Sequence, residues 1–214
     1  MATFLRTLSY RYQWLYDTIS RLAALTVGGE TRFRNLALQG LTGDKSLKIL
    51  DLCCGAGQTT QFLTQYSDDV TGLDISPLAI ERAKKNVPQA NYVVAPAEKM
   101  PLPDQQFDLV HTSAALHEMT PTQLSQIFQE VYRVLKPGGI FTFIDLHQPT
   151  NPFFVPSLYT FMFLFETETA WQLIKTNLAE KLTTTGFEIH KQEQYAGGSL
   201  QMIQSRKPGS EPLK

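Results

Sequence analysis

The stretch that decides the fold runs from residue 49 to residue 60 and reads ILDLCCGAGQTT. Its first four residues are mostly apolar and predict a buried strand, and Gly55 and Gly57 predict a tight turn that leads into a helix. A glycine turn between a strand and a helix lets a ligand approach the backbone closely and directs free N–H groups toward it. The stretch therefore predicts a site for a nucleotide or nucleoside cofactor.

On both sides of this turn, apolar runs alternate with segments of helical periodicity. Strands are predicted at 48–53, 70–75, 92–94, 107–112 and 140–145, and helices at 58–65, 77–86 and 121–135. Strands separated by helices of this length indicate an α/β fold with a mainly parallel sheet that is covered on both faces. Near the end of the chain, Gly197 and Gly198 lie between two strand-like segments and predict an antiparallel hairpin. The ligand is expected beyond the carboxyl ends of the parallel strands.

Helical periodicity before the first strand predicts two helices between residues 9 and 41, separated at Gly28 and Gly29. We therefore expect one domain from 1 to 207. Within it we expect an N-terminal helical cap at 1–44, a cofactor-binding core at 45–148, and an acceptor-side lid with the C-terminal hairpin at 149–207. Residues 208–214 are expected to form a flexible tail.

Composition narrows the class of protein. The 214 residues include 19 Lys and Arg and 20 Asp and Glu, so the net charge of -1 gives no electrostatic case for a nucleic-acid partner. The two cysteines, Cys53 and Cys54, are neighbours and cannot form an ordinary disulfide, which indicates a reducing compartment. No apolar run is long enough for a signal peptide or a transmembrane helix. A cytoplasmic protein is predicted, and the spacing of its histidines and cysteines indicates no metal site.

The identity of the cofactor depends on the details of the turn. A nicotinamide or flavin dinucleotide requires G-x-G-x-x-G, but the position of the third glycine is occupied by Thr60. Asp74 follows the second strand about 20 residues later, where an acidic residue binds ribose hydroxyls in either class of ligand. An alternative role for Asp74 is to cap the helix that begins near Pro77.

Four segments, ILDLCCGAG, TGLDIS, APAEKMPLPDQQFDLVHTSAALHEM and EVYRVLKPGGIFTFID, follow one another between residues 48 and 145. Their order and spacing resemble the signature of class I S-adenosylmethionine-dependent methyltransferases. YDTISRLAALTVGGETRFRNLAL and the paired cysteines are similar to the ubiquinone/menaquinone C-methyltransferases, a type 11 methyltransferase group. The resemblance implies a Rossmann-like, seven-stranded, mostly parallel sheet with a C-terminal antiparallel hairpin and an N-terminal helical cap. It also implies S-adenosyl-L-methionine as cofactor.

The resemblance implies ten cofactor-binding residues. Those expected at the methionine end are Asp51, Cys53, Gly55, Ala56 and Gly57, with Ser113 near the sulfonium. Those expected at the adenosine end are Asp74 for the ribose, Ile75 for the adenine face, and Pro96 with Ala97 for the adenine edge. Two positions depart from the family pattern. Cys53 replaces a glycine and is expected to fit if its backbone avoids positive φ, and Pro96 replaces an aspartate that commonly binds the adenine amino group.

The acceptor side contains fewer clear signals. His117 follows the fourth strand and is either a catalytic residue or a histidine that shapes the pocket. The quinone methyltransferases usually have arginine and asparagine at 117 and 118, where this chain has His117 and Glu118. By the same resemblance, Tyr16 on the N-terminal helix, His147 after the fifth strand and Phe161 are expected to line the substrate pocket.

The segment from 151 to 174 is rich in aromatic residues, and Pro156 suits the first turn of a helix. It predicts a lid over a greasy acceptor or a surface in peripheral contact with a membrane, and an ordinary buried helix or a dimer contact is the alternative. Three functions remain open at this point: methyl transfer to a small apolar acceptor such as a quinone-type ring, NAD(P)-dependent oxidation, and non-catalytic binding or regulation. Thr60 and VLKPGG count against the second function, and Pro96 keeps the third open.

Overall fold

The computed structural model describes residues 24–41 and 44–209. In this part of the chain, seven strands form one sheet in the order β3-β2-β1-β4-β5-β7-β6. The strands are β1 (Lys48–Leu52), β2 (Asp69–Asp74), β3 (Asn91–Val94), β4 (Phe107–Ser113), β5 (Leu135–Leu146), β6 (Glu188–Tyr195) and β7 (Leu200–Arg206). All neighbouring pairs are parallel except β5–β7 and β6–β7. The predicted Rossmann-like sheet with its C-terminal hairpin is therefore confirmed.

Helices connect these strands. The α-helices are α1 (Glu30–Leu36), α2 (Gln58–Leu63), α3 (Pro77–Asn86), α4 (Pro121–Val134), α5 (Val155–Phe165), α6 (Glu168–Leu173) and α7 (Leu178–Thr185). Short 3-10 turns occupy Leu25–Val27, Leu116–Glu118, Pro152–Phe154 and Ala196–Gly198. The crossovers through α2, α3 and α4 are those that a parallel sheet requires.

Two helix starts follow directly from local chemistry. The Ser76 side chain accepts a hydrogen bond from the Ala79 N–H, and proline occupies the first turn of α3. Thr120 and Gln123 form a reciprocal capping box at the start of α4, which also begins with proline. Such caps satisfy N–H groups that have no partner inside the helix. The predicted helix starts at 77 and 121 are confirmed for this reason.

The start of β5 differs from the prediction. The strand begins at Leu135, opposite Phe107, and its register shifts before Ile140 pairs with Leu109. Gly138 lies in this irregular part with a φ of 81°. Lys207 binds the carbonyl oxygens of Tyr132 and Leu135 through Nζ. The strand was predicted to start at 140, and its first residues, 135–139, were not assigned to a strand.

The N-terminal prediction is confirmed where the structure describes it. Gly28, with a φ of 94°, ends the 3-10 turn Leu25–Val27, and α1 follows Gly29. The first predicted helix, including Tyr16, lies outside the described residues. The proposed division into cap, core and lid stays a prediction.

The topology places the site at one edge of the sheet. β1 pairs with both β2 and β4, and the chain builds the sheet outward from β1 in two opposite directions. Parallel sheets form a ligand crevice at such a switch point, beyond the carboxyl ends of the strands. Below this edge, Phe128, Phe141 and Phe143 are fully buried between the sheet and its helices. The strand ends that form the crevice are therefore supported by a well-packed core.

Candidate active site

A cavity of about 670 Å³ opens at the carboxyl edge of the sheet. Eight of the predicted site residues line it: Cys53, Gly55, Ala56, Asp74, Ile75, Ala97, His117 and Phe161. Asp51, Gly57, Pro96, Ser113 and His147 are not among the lining residues. His147 instead bonds through Nδ1 to the Gly198 carbonyl oxygen at 2.9 Å, so it joins β5 to the hairpin connection. The placement of His147 in the substrate pocket is corrected accordingly.

Asp74 braces the glycine turn from the end of β2. Its Oδ2 accepts a hydrogen bond from the Gly55 N–H at 2.9 Å, and its Oδ1 accepts one from the Ser76 N–H at 2.9 Å. The cap of α3 is Ser76, so the capping alternative for Asp74 does not hold. Each carboxylate oxygen has a further lone pair, and the side chain lines the cavity. Asp74 can therefore accept hydrogen bonds from a ligand while it supports the turn.

An apolar surface continues from Asp74. Ile75 is 68% exposed and Leu78 is 55% exposed, and both line the cavity. Exposed large aliphatic side chains in a concave site are typical of a surface that a flat apolar ligand covers. Ala95 and Ala97 line the cavity with them, and their small side chains leave space.

The backbone of Cys53 departs from the expectation. Its φ is 58°, in the left-handed region that the prediction required it to avoid. A non-glycine residue pays about 1–2 kcal/mol for this conformation. The thiol is nevertheless accommodated, because it lies between the cavity and the core. Burial, together with the nearby Asp74 and Asp51 carboxylates, raises the pKa of Cys53, so the thiol stays neutral.

Cys54 is explained by packing. A Cβ atom added to Gly72 on β2 would lie 2.9 Å from the Cys54 Sγ and 2.8 Å from the Tyr92 ring, closer than real Cβ contacts allow. Gly72 thus provides the space that the second thiol and the ring occupy. Burial first, and then the Asp51 and Asp74 carboxylates, also raise the pKa of Cys54.

Arg34 on α1 is a functional candidate that sequence reasoning missed. Its Nη1 donates to Thr59 Oγ1 at 3.0 Å and to Ser113 Oγ at 3.3 Å, and the side chain lines the cavity. Arg34 therefore ties α1 to α2 and to the end of β4. It also places a cation beside the turn at residues 53–57. Nothing in the helical pattern of this segment distinguishes Arg34 from Arg32.

Asp51 lies beneath the turn and is almost fully buried. Its Oδ2 accepts a hydrogen bond from Thr60 Oγ1 at 2.6 Å. Burial raises the pKa of Asp51 to about 7, against the opposing effects of the Thr60 hydrogen bond and the Arg34 charge. The hydrogen bond from Thr60 holds Asp51 in place, which accounts for threonine at the third-glycine position.

His111 lies beside Asp51 on the adjacent strand. Burial and the Arg34 charge lower the pKa of His111 to about 3.

Asp51→Asn is expected to make the protein more stable than the wild type at pH 8, with a smaller gain at pH 5. Because the pKa of Asp51 rises from 3.8 to about 7 on folding, the folded state holds its proton through this window. Stability is therefore lost as the pH rises from about 4 to about 7. Asparagine avoids this loss, on the order of 1 kcal/mol or more, which is ~3 °C in Tm. Thermal melts of both proteins at pH 5 and pH 8 measure the difference, and an equal difference at the two pH values would contradict the assignment.

His117 is held from below by Asp145. The Asp145 carboxylate accepts hydrogen bonds from the N–H groups of Ala115, Leu116 and Leu146, and lies 2.7 Å from His117 Nδ1. The Asp145 side chain is 1% exposed, so this arrangement is rigid. It directs the other ring nitrogen of His117, Nε2, into the cavity.

Two more carboxylates face that nitrogen. Glu118 Oε1 and Glu166 Oε2 each lie 3.7 Å from His117 Nε2. Burial opposes a charge on the imidazole, but Asp145, Glu166 and Glu118 together outweigh it and raise the pKa of His117 to about 9. The His117 imidazole is therefore a cation at neutral pH, and three carboxylates surround it. Asp145 and Glu166 were not predicted from the sequence, although Asp145 follows the rule that strand ends meet at one edge.

The aromatic segment forms one wall of the cavity. Phe161 and Phe165 line it from α5, while Leu158 and Met162 pack into the core. Phe153 is 91% exposed on the outer side. α5 thus forms a wall of the cavity, and its roles as a lid and in peripheral contact with a membrane stay predictions. None of the helices in the described part of the chain has the length and apolar character that a bilayer span requires.

Comparisons with known proteins agree with this geometry. A family described as "Methyltransferase domain" matches residues 49–139. The chain is 58% identical over 206 residues to the protein named uncharacterized methyltransferase sll0829 of Synechocystis sp., covering 96% of this chain and 97% of that protein. It is 34% identical over 140 residues to the demethylmenaquinone methyltransferase of Chlorobaculum parvum, covering 64% of this chain and 57% of the relative. The structure of a TehB-like methyltransferase from Corynebacterium glutamicum superimposes with a TM-score of 0.65 at 18% identity, covering 90% and 96% of the two chains.

Fold, site and relatives together define an enzyme of the class I methyltransferase fold. The chain belongs to the S-adenosylmethionine-dependent methyltransferases. S-adenosyl-L-methionine is its cofactor, which resolves the choice that the glycine turn left open and confirms the prediction. The residues fit this molecule, because a carboxylate at Asp74, an apolar surface at Ile75 and a guanidinium at Arg34 line one continuous cavity.

Proposed function

We propose that the enzyme transfers a methyl group from S-adenosylmethionine to a small apolar acceptor, most simply a quinone-type ring in its reduced form. The observation that supports the proposal is the lining of one half of the cavity, which we call the acceptor half. There the polar side chains of His117, Glu118 and Glu166, the polar cluster, lie with apolar side chains. His117 supplies the polar side, and Phe161, Phe165 and Met119 supply the wall. A ring that bears a hydroxyl matches both surfaces.

The other half of the cavity suits the cofactor. Asp74 would accept hydrogen bonds from the ribose hydroxyls, and Ile75 would pack on the adenine. Glu98 lines the cavity two residues after Pro96 and accepts a hydrogen bond from Gln123 Nε2 at 3.3 Å. It offers a carboxylate to the adenine amino group where Pro96 cannot. Arg34 would pair with the methionine carboxylate, because it lines the cavity and its Nη1 donates to Thr59 in the helix that follows the glycine turn.

The cofactor supplies an electrophilic methyl on a sulfonium with a good leaving group, so the protein contributes mainly position and charge. In ring methylation the S–CH₃ bond would break as a C–CH₃ bond forms, S-adenosylhomocysteine would leave, and the ring carbon would pass its proton to a lining carboxylate such as Glu118 or Glu166. The nucleophilic carbon gains electron density when the neighbouring hydroxyl ionises. A positive group at His117 Nε2 would stabilise the resulting phenolate. Asp145 fixes the position of that group.

Relatives support this acceptor class. The names of the Chlorobaculum parvum protein and of other relatives at 26–34% identity include demethylmenaquinone methyltransferase. Their alignments each cover about two thirds of this chain. The lining by Phe161 and Phe165 agrees with a lipophilic ring, since apolar side chains bury an apolar ligand.

Incubation with methyl-labelled cofactor and a set of acceptors tests the proposal. The set contains prenylated naphthoquinones and benzoquinones, each in its hydroquinone and oxidised form, with a fatty acid and a primary amine as other acceptor classes. We expect labelled product from a hydroquinone and none from the matching oxidised quinone, because the oxidised ring is electron-poor. Mass spectrometry of the product locates the methyl group. Label found only on the carboxylate or the amine would refute the quinone-type acceptor.

A further inference from the structure

Three side chains that ligate metals converge at the lid end of the cavity. His117, Glu118 and Glu166 each offer one ligand atom, and these atoms all lie within 4.8 Å of one another. We propose that His117, Glu118 and Glu166 form a binding site for a divalent transition-metal cation. The ligands come from two separate parts of the fold, since His117 and Glu118 follow β4 and Glu166 ends α5.

The orientation of the imidazole supports this site. His117 is 8% exposed, and Asp145 binds its Nδ1 at 2.7 Å. A divalent cation would displace the proton from Nε2, and the ring, with its remaining proton on Nδ1, would then offer the Nε2 lone pair between the two glutamates. Histidines that bind metals commonly donate their second N–H to a carboxylate, which fixes the ring and increases its basicity. Three backbone N–H groups donate to the Asp145 carboxylate and fix its position, so the His117 ring is already oriented in the absence of a metal ion.

The distances match a shared cation better than direct hydrogen bonds. His117 Nε2 lies 3.7 Å from Glu118 Oε1 and 3.7 Å from Glu166 Oε2, beyond hydrogen-bonding range. Two ligands held ~2.1 Å from one tetrahedral cation are ~3.4 Å apart. Each distance from His117 Nε2 is therefore a few tenths of an ångström longer than this separation, and the two glutamate oxygens lie within 4.8 Å of each other. One imidazole and two carboxylates are a suitable ligand set for Zn²⁺ or Mn²⁺.

Charge favours the same conclusion. Three carboxylates, those of Asp145, Glu118 and Glu166, surround one imidazole at this end of the cavity. Protonated His117 compensates one of these charges, and a divalent ion in place of its Nε2 proton would compensate one more.

A cation at this position would act on the acceptor. Three protein ligands leave at least one coordination position open toward the cavity, as in catalytic metal sites. An acceptor hydroxyl bound there loses its proton more readily, because the ion stabilises the oxyanion. This role rests on the proposed function, whereas cation binding itself can be measured without any acceptor.

Manganese binding tests the site directly. The protein is treated with a chelator, desalted and titrated with Mn²⁺, and the free ion is measured by electron paramagnetic resonance. We expect one bound Mn²⁺ per chain that Zn²⁺ displaces. Glu118→Gln and Glu166→Gln should each weaken binding tenfold or more, because each removes a charged ligand.

Glu168→Gln is the matched control. Glu168 lies on the same lid and is exposed, so its substitution removes one charge without touching the cluster. It should bind Mn²⁺ as the wild type does. The binding of S-adenosylhomocysteine is measured on every preparation. Intact S-adenosylhomocysteine binding without Mn²⁺ uptake, or equal Mn²⁺ affinity in wild type, Glu118→Gln and Glu166→Gln, would overturn the metal site and leave the methyltransferase assignment standing.

Discussion

Asp74→Ala is expected to lower the affinity for S-adenosylhomocysteine by about 100-fold or more, as measured by isothermal titration calorimetry. The Asp74 carboxylate lines the cavity at the end of β2 and can accept both ribose hydroxyls. Hydrogen bonds to a charged acceptor contribute ~1.5–3 kcal/mol each, so the loss of two accounts for this change. The same substitution removes the brace on Gly55, which adds to the loss by loosening the turn.

Two variants separate ligand binding from a general effect on the fold. Asp74→Asn retains one acceptor oxygen and nearly the same shape, and we expect it to bind with intermediate affinity. Asp69→Ala removes a carboxylate from the other end of the same strand, where it forms a long ion pair with Lys48 at 4.0 Å. It should leave the affinity unchanged. Affinity in Asp74→Ala within a factor of three of the wild type, with a normal melting curve, would refute the ribose assignment.

The parts of the fold that were predictable are those that local chemistry determines. The strand that precedes Gly55 is an apolar run between polar segments, and α3 begins where Ser76 and Pro77 satisfy the conditions for a helix start. The parallel order of the strands follows from their alternation with helices. These features depend on residues that are close together in the chain.

The missed parts depend on contacts between distant segments. Arg34 reaches Ser113 across the fold, and Glu166, which lies just before α6, meets His117 because α6 packs beside the 3-10 turn after β4. Neither contact leaves a periodic signal in the sequence. The positive φ of Cys53 is a similar case, since the surrounding turn imposes a conformation that the residue itself disfavours.

The polar cluster also shows why the histidine pattern alone was uninformative. Metal motifs are recognised from the short spacing of histidines and cysteines, but two of the three proposed ligands are glutamates. The aromatic run before Glu166 predicted an apolar lid or membrane-contacting surface, or else a buried helix or dimer contact. Its last residue, Phe165, directly precedes the glutamate that completes the cluster. The lid thus combines an apolar wall with one charged end.

His117→Gln is expected to lower kcat by about 100-fold to 1000-fold on a hydroquinone acceptor, and to change the affinity for S-adenosylhomocysteine by less than a factor of two. Glutamine fills similar space but cannot carry the positive charge that would face the acceptor oxygen. Because the cofactor lies against Asp74 and the glycine turn, its binding does not require the imidazole. Initial rates give kcat and KM for methyl transfer, and calorimetry gives the affinity for S-adenosylhomocysteine.

His190→Gln is the control, since His190 is exposed on the edge strand β6. It should retain full turnover. A higher KM with an unchanged kcat would assign His117 to acceptor binding, and unchanged values of both would return it to a structural role.

The charge at Nε2 matters most when the acceptor oxygen ionises, so the loss in kcat should be smaller for an acceptor whose hydroxyl is already acidic. An electron-poor hydroquinone with a low hydroxyl pKa provides that comparison. A loss of equal size on both acceptors would show that His117 does not act through oxyanion stabilisation.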